Sequence, residues 1–132
     1  MRRDGYITLV AAVLVMTVMA AGSLLRAAEE TKTIEGELVD ARCYALDKAN
    51  RGGDHKECAT RCATAGTPVG VLDEKTGTVY VFLSMSKGYS AHVGKTVRVT
   101  GTVVHASQIL PDKLEVKEGN AWKQVETAKD MM

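Results

Sequence analysis

The sequence predicts a mainly β fold, a small OB-like barrel of five or six strands with a short inserted helix that carries cysteines. Three observations predict it. Short apolar segments alternate with a period of two and are separated by glycine-bearing turns. A short link with helical character joins the third and fourth of these segments, where an OB-type barrel places one. The one clear helix falls between the first and second. The chain has 132 residues, 45% hydrophobic and 25% charged, which supports one domain and excludes a disordered, collagenous or multi-pass membrane protein. Lys+Arg number 17 against 16 Asp+Glu, so no nucleic-acid partner is expected, because binding a phosphate backbone needs a basic surplus.

Residues 1–28 read as a signal peptide or an N-terminal membrane anchor. Arg2 and Arg3 precede an apolar run from Ile7 to Leu25, and no acidic residue occurs between Asp4 and Glu29. Ala20-Ala21-Gly22 offers a small-x-small cleavage site, and Leu25-Arg26-Ala27 a weaker one. Cleavage is the preferred outcome. If the segment is retained, residues 6–25 approach the length that spans a bilayer and tether the domain to the membrane. Either way the expectation is export, to the periplasm or the cell exterior; the alternative is anchoring in the inner membrane with the domain outside. Residues 29–126 form the single domain, and residues 127–132 a polar tail.

Within the domain, Ile34, Gly36 and Leu38 alternate with Glu35 and Glu37, which fits a half-exposed strand over Thr33 to Asp40. Strands follow at Pro68 to Asp73 and Thr78 to Ser84, joined by a hairpin turn ending in Gly77. Val79, Val81 and Leu83 then face one side, Tyr80 and Phe82 the other. Ser84 to His92 is the short helical link. Thr96 to His105 is the strongest strand, with Val97, Val99, Gly101 and Val103 on one face; Gly101 marks a bend or a close backbone approach. Leu110-Pro111-Asp112 reads as a turn. Short final strands at Leu114 to Val116 and Ala121 to Val125 flank a turn at Glu118-Gly119-Asn120.

Residues 54–66 carry the helix signals: Asp54 as N-cap, Glu57 three residues on, then Gly66 and Pro68 as stops. At 100° per residue, His55, Cys58 and Cys62 share one helix face. A polar loop (Asn50 to Gly53) can fold Cys43 back over that face. Cys43, His55, Cys58 and Cys62 are therefore candidate metal ligands, suited to Zn or Cu by their soft and borderline donors. The three cysteines are equally disulfide candidates, since an exported protein meets oxidising conditions. Cys43 paired with Cys58 or Cys62 staples the loop to the helix, worth about 3 kcal/mol on the chain-entropy model. A Cys58–Cys62 pair within the helix is strained and easily reduced, the basis of a thiol–disulfide redox protein. One disulfide with a spare cysteine ranks ahead of the metal site on compartment alone.

Other residues carry less. His92 and His105 are isolated, and Met85, Met131 and Met132 form no copper motif. Asp40 reads as a turn residue at a strand end before it reads as an acid. Trp122, Tyr80 and Phe82 are either a binding face or core. No G-x-S-x-G, Walker loop or H-E-x-x-H occurs, so no catalytic residues are expected.

Gly36-Glu37-Leu38-Val39-Asp40-x-x-Cys43, His55-x-x-Cys58-Ala59-x-x-Cys62 and Val97-x-Val99-Thr100-Gly101 together resemble a family of small exported bacterial proteins of unknown function. The resemblance runs from about residue 34 to 116. It implies export, a single small β-rich domain and a shared cluster at Cys43, His55, Cys58 and Cys62; it brings no established activity. Many members carry a small residue after the first cysteine, where this chain has Tyr44. The expected protein is an exported domain without enzymatic machinery that binds Zn or Cu or holds a structural disulfide. The alternatives are a thiol–disulfide redox protein and a metal-free binding or scaffold module.

Overall fold

The alternation at Ile34, Gly36 and Leu38 marks the middle of a longer strand. In the computed structural model, which describes residues 30–125, β1 spans Glu30–Asp40; the leader at 1–28 and the tail at 127–132 lie outside the described residues. Two helices follow, α1 (Ala41–Leu46) and α2 (Gly52–Thr64), then β2 (Val69–Asp73) and β3 (Thr78–Phe82). A 3-10 segment (Ser86–His92) leads into β4 (Thr96–Val104), β5 (Gln108–Glu118) and β6 (Ala121–Val125).

The strands lie in the order β3-β2-β1-β4-β5-β6, and a further pairing of β3 with β5 closes the first five into a barrel. That closing pair is parallel, Val81 opposite Gln108 and Phe82 opposite Ile109; every other pair is antiparallel. The circuit Val39, Gly70, Val81, Gln108, Val104 returns to β1 at its Glu30 end, about ten residues from where it began. So large a stagger around five strands tilts them steeply and leaves an interior that side chains alone can fill. Leu38, Val71, Val97, Val99, Ile109 and Leu114 fill it at 0% exposure. β6 adds to β5 outside the closed ring.

The 3-10 segment packs over this interior. Tyr89 is fully buried and meets Phe82 edge to face at 5.2 Å between ring centroids. Ala59 and Ala63 of α2 join the same apolar cluster. A second, smaller cluster forms on the outer face of β1 and β2, where Tyr44 of α1 packs with Val39 and Leu72. β1 thus buries side chains on both faces near its end, Leu38 inward and Val39 under α1. Of the three aromatics weighed together, Phe82 is core and Tyr80 packs partly against it. Trp122 instead lies half-buried under the Arg98 guanidinium, 4.1 Å from the ring centroid.

Three expectations require correction. α1 was not foreseen. Leu110-Pro111-Asp112 is no turn: β5 runs through it, with buried Pro111 opposite Gly101 and Asp112 as the extra residue of a bulge in β5. The bulge and the proline accommodate each other, since a ladder tolerates proline only where its regular bonding is already broken. α2 starts at Gly52, and Asp54 sits in its first turn rather than capping it. The cap comes from a distant strand: Glu37 of β1 accepts the Gly52 N–H and also pairs with Arg51 at 3.1 Å.

Gly36 of β1 is a point of close backbone approach, where an added Cβ would collide with the Leu72 carbonyl of β2. Gly36→Ala should therefore force β1 and β2 apart and destabilise by about 2–3 kcal/mol. Urea unfolding reads this as a lowered midpoint with an unchanged slope.

Candidate metal centre

The site is assembled at the end of β1. Asp40 has extended backbone geometry and acts as N-cap of α1, its Oδ1 accepting the Cys43 N–H at 2.9 Å. This bond seats the carboxylate beside the Cys43 side chain. Cys43 is then held from its other end, where its carbonyl accepts from the Asp47 N–H and the Asn50 side-chain amide, each at 3.0 Å. The loop folds back at this point, as the polar composition of residues 50–53 suggests.

α2 is fixed independently. Arg51 bridges Glu37 of β1 and Glu74 of the β2–β3 turn, anchoring the helix start to the barrel. At the far end the Cys62 carbonyl accepts the Thr67 N–H at 2.9 Å, and the Ala41 N–H donates to Pro68 at 3.0 Å. The two helices are thereby brought together around their cysteines.

A carboxylate oxygen of Asp40 and the sulfurs of Cys43 and Cys62 all lie within 4.8 Å of one another. These three residues could hold a metal ion. All three thiols, Cys58 included, are free and half-buried. Asp40 is 1% exposed, and its Oδ2 has no hydrogen-bond partner within the protein. A buried carboxylate oxygen left unpaired is costly, and a cation held by this carboxylate and the two sulfurs would offset the cost.

Four residues were expected to converge, and the structure places them differently from one another. Cys43 and Cys62 join the group. Cys58, one turn before Cys62 on the same helix face, lies outside the set gathered around Asp40. His55 is also outside that set. Its Nε2 is buried without a partner, beside a small cavity of about 10 Å³ that Asp40 also lines. That is roughly the room one water needs. His92 and His105 belong to no ligand group among the described residues.

Asp40 is the member that residue types alone did not assign. Its signal was present in the spacing: an acidic cap three residues before a cysteine sets carboxylate and thiol side by side, because the cap bonds the backbone N–H of that same cysteine.

Burial pushes the Cys43 and Cys62 thiols above the ordinary value of 9.0, and the negative charge of Asp40 pushes both further. The neighbouring sulfurs add to the shift at Cys43. Hydrogen bonding to Glu74 holds the Arg51 charge firmly in place. Burial lowers His92, with Lys95 adding to it.

Fold and site together define a small OB-like barrel that carries a thiol–carboxylate group between its first two strands. Comparison with protein-family models, curated proteins and solved structures finds no match.

Raised thiol values have a definite consequence for stability. The metal-free folded protein keeps protons that the unfolded chain gives up near 9.0. Their contribution is complete below that pH and is lost as pH rises through the folded values. Urea midpoints should therefore fall above pH 9.0 and fall less in Asp40→Asn, which keeps a capping side chain but removes the charge. An equal fall in both proteins would contradict the assigned role of the carboxylate.

Proposed function

We propose that this protein is an exported metal-binding domain in which Asp40, Cys43 and Cys62 hold a zinc or copper ion. The observation that carries the reading is the buried Asp40 carboxylate, one oxygen of which lacks a protein partner, grouped with two free thiols. Two thiolates and a carboxylate suit zinc, and a thiolate-rich subset suits Cu(I). The ion would tie α1 to α2 and so pin the β1–β2 connection onto the barrel.

Export rests on the leader at 1–28 and on the family resemblance. Among the described residues no helix is long and apolar enough to cross a membrane, so any tether would fall to residues 6–25. The nearly balanced charge gives no motive for nucleic-acid binding.

Elemental analysis of protein purified anaerobically without added metal tests the reading. Close to one zinc or copper per chain is expected, with thiols becoming reactive only after chelation. Cys43→Ser, Cys62→Ser and Asp40→Asn should each weaken zinc binding by at least about 10–100-fold, the loss typical of even outer-shell partners. Zinc uptake should release protons, and affinity should rise with pH, because both thiols are protonated at neutrality. Metal-free protein that takes up no zinc, or three variants that match the parent, would overturn the proposal.

A further inference from the structure

Cys58 stands outside the group around Asp40 but one helical turn from Cys62, whose sulfur lies within 4.8 Å of that of Cys43. Cys62 is thus the middle of three sulfurs drawn from two helices. Two different disulfides are open to it, and they are not equivalent. A Cys58–Cys62 bond would join residues four apart in the continuous helix α2, where Cβ atoms stand ~5–6 Å apart against the ~3.8 Å a disulfide needs. That bond strains the helix and is readily attacked. A Cys43–Cys62 bond joins separate elements, α1 and α2, linked by a loop that can adjust.

We propose that the three thiols form a disulfide relay with a small-molecule disulfide as oxidant, in which Cys58 reacts first and Cys43–Cys62 is the final bond. Cys58 is the first nucleophile because it alone lies outside the set around the Asp40 carboxylate, whose negative charge opposes an approaching anionic disulfide such as oxidised glutathione. The Cys58 thiolate attacks one glutathione sulfur, forming a mixed disulfide and expelling a glutathione thiolate. The Cys62 thiolate then attacks the Cys58 sulfur, expelling the second glutathione thiolate and leaving Cys58–Cys62. Cys43 attacks Cys62, forms Cys43–Cys62 and returns Cys58 as a thiolate. In sum, two protein thiols lose two electrons and two protons, and one oxidised glutathione becomes two reduced ones. The final bond uses two of the three proposed metal ligands, so oxidation would eject the metal. That last consequence rests on the proposed function; the relay does not.

The test exposes metal-free protein to oxidised glutathione, traps free thiols by alkylation at timed intervals and maps the bonds by mass spectrometry. The expected end product is Cys43–Cys62 with Cys58 free. Cys58→Ser and Cys58→Ala should slow its formation by about tenfold or more. Cys62→Ser should accumulate glutathione on Cys58. Circular dichroism verifies that each variant is folded. The relay is overturned if the Cys58 variants oxidise at the parental rate, if Cys58–Cys62 is the stable product, or if no intramolecular disulfide forms. Repeating the oxidation on zinc-loaded protein with a zinc indicator separates the two ideas. Zinc release in step with the Cys43–Cys62 bond supports the link. Normal oxidation of a chain that never took up zinc would sink the metal site and leave the relay standing.

Discussion

The hydrogen bond from the Cys43 N–H to Asp40 is the interaction on which the site depends. A helix of six residues such as α1 has almost no stability of its own, because nucleation fixes several dihedrals for a single bond. Asp40 supplies a partner for one of its orphan donors from a strand end that the barrel already holds. The same bond sets the carboxylate against the first cysteine. Cap, carboxylate and thiol are thus placed by one event, which is why they share one small volume.

The barrel contributes rigidity at one remove. β1 is paired on both sides, to β2 and to β4, so its end does not wander. Glu37 in that strand then reaches out to Gly52 and Arg51 and fixes where α2 begins. Ala59 and Ala63 press the helix onto the core, with small side chains that allow close approach. With both its start and its inner face set, α2 turns Cys58 and Cys62 toward α1, while His55 faces the small cavity beside Asp40. The group is therefore built on a connection between strands but is fastened to elements that do not move independently.

What the sequence disclosed follows the range of the interactions involved. β4 was legible because Val97, Val99 and Gly101 keep strict alternation, and the β2–β3 hairpin because Gly77 takes a positive φ of 72°. α2 was legible as a helix but not in its first residues, since the side chain that caps it sits 15 residues earlier on another element. Pro111 was misread because its own chemistry says turn, and only the pairing with β4 and the bulge at neighbouring Asp112 say strand. α1 gave little signal: in Ala41–Leu46 nothing local except Asp40 announces a helix. At the site, helix periodicity put His55, Cys58 and Cys62 on one face. Which of them meets Cys43 was settled by the packing of α2, a long-range outcome that no spacing rule carries.

The choice between a structural staple and a metal group turns on Asp40. Two cysteines that existed only to form a disulfide would have no use for a buried carboxylate between them; its charge raises both thiols and so slows their oxidation. Nor does capping explain it, because serine, threonine or asparagine caps a helix as well without burying a charge. The cap uses Oδ1 alone. What remains is a buried carboxylate with one oxygen unpaired, grouped with two sulfurs, a donor set that a divalent or soft monovalent cation satisfies and a disulfide does not. On the proposed reading the site rests reduced, with its donors free to take the ion. On the proposed relay, oxidation would switch that site off.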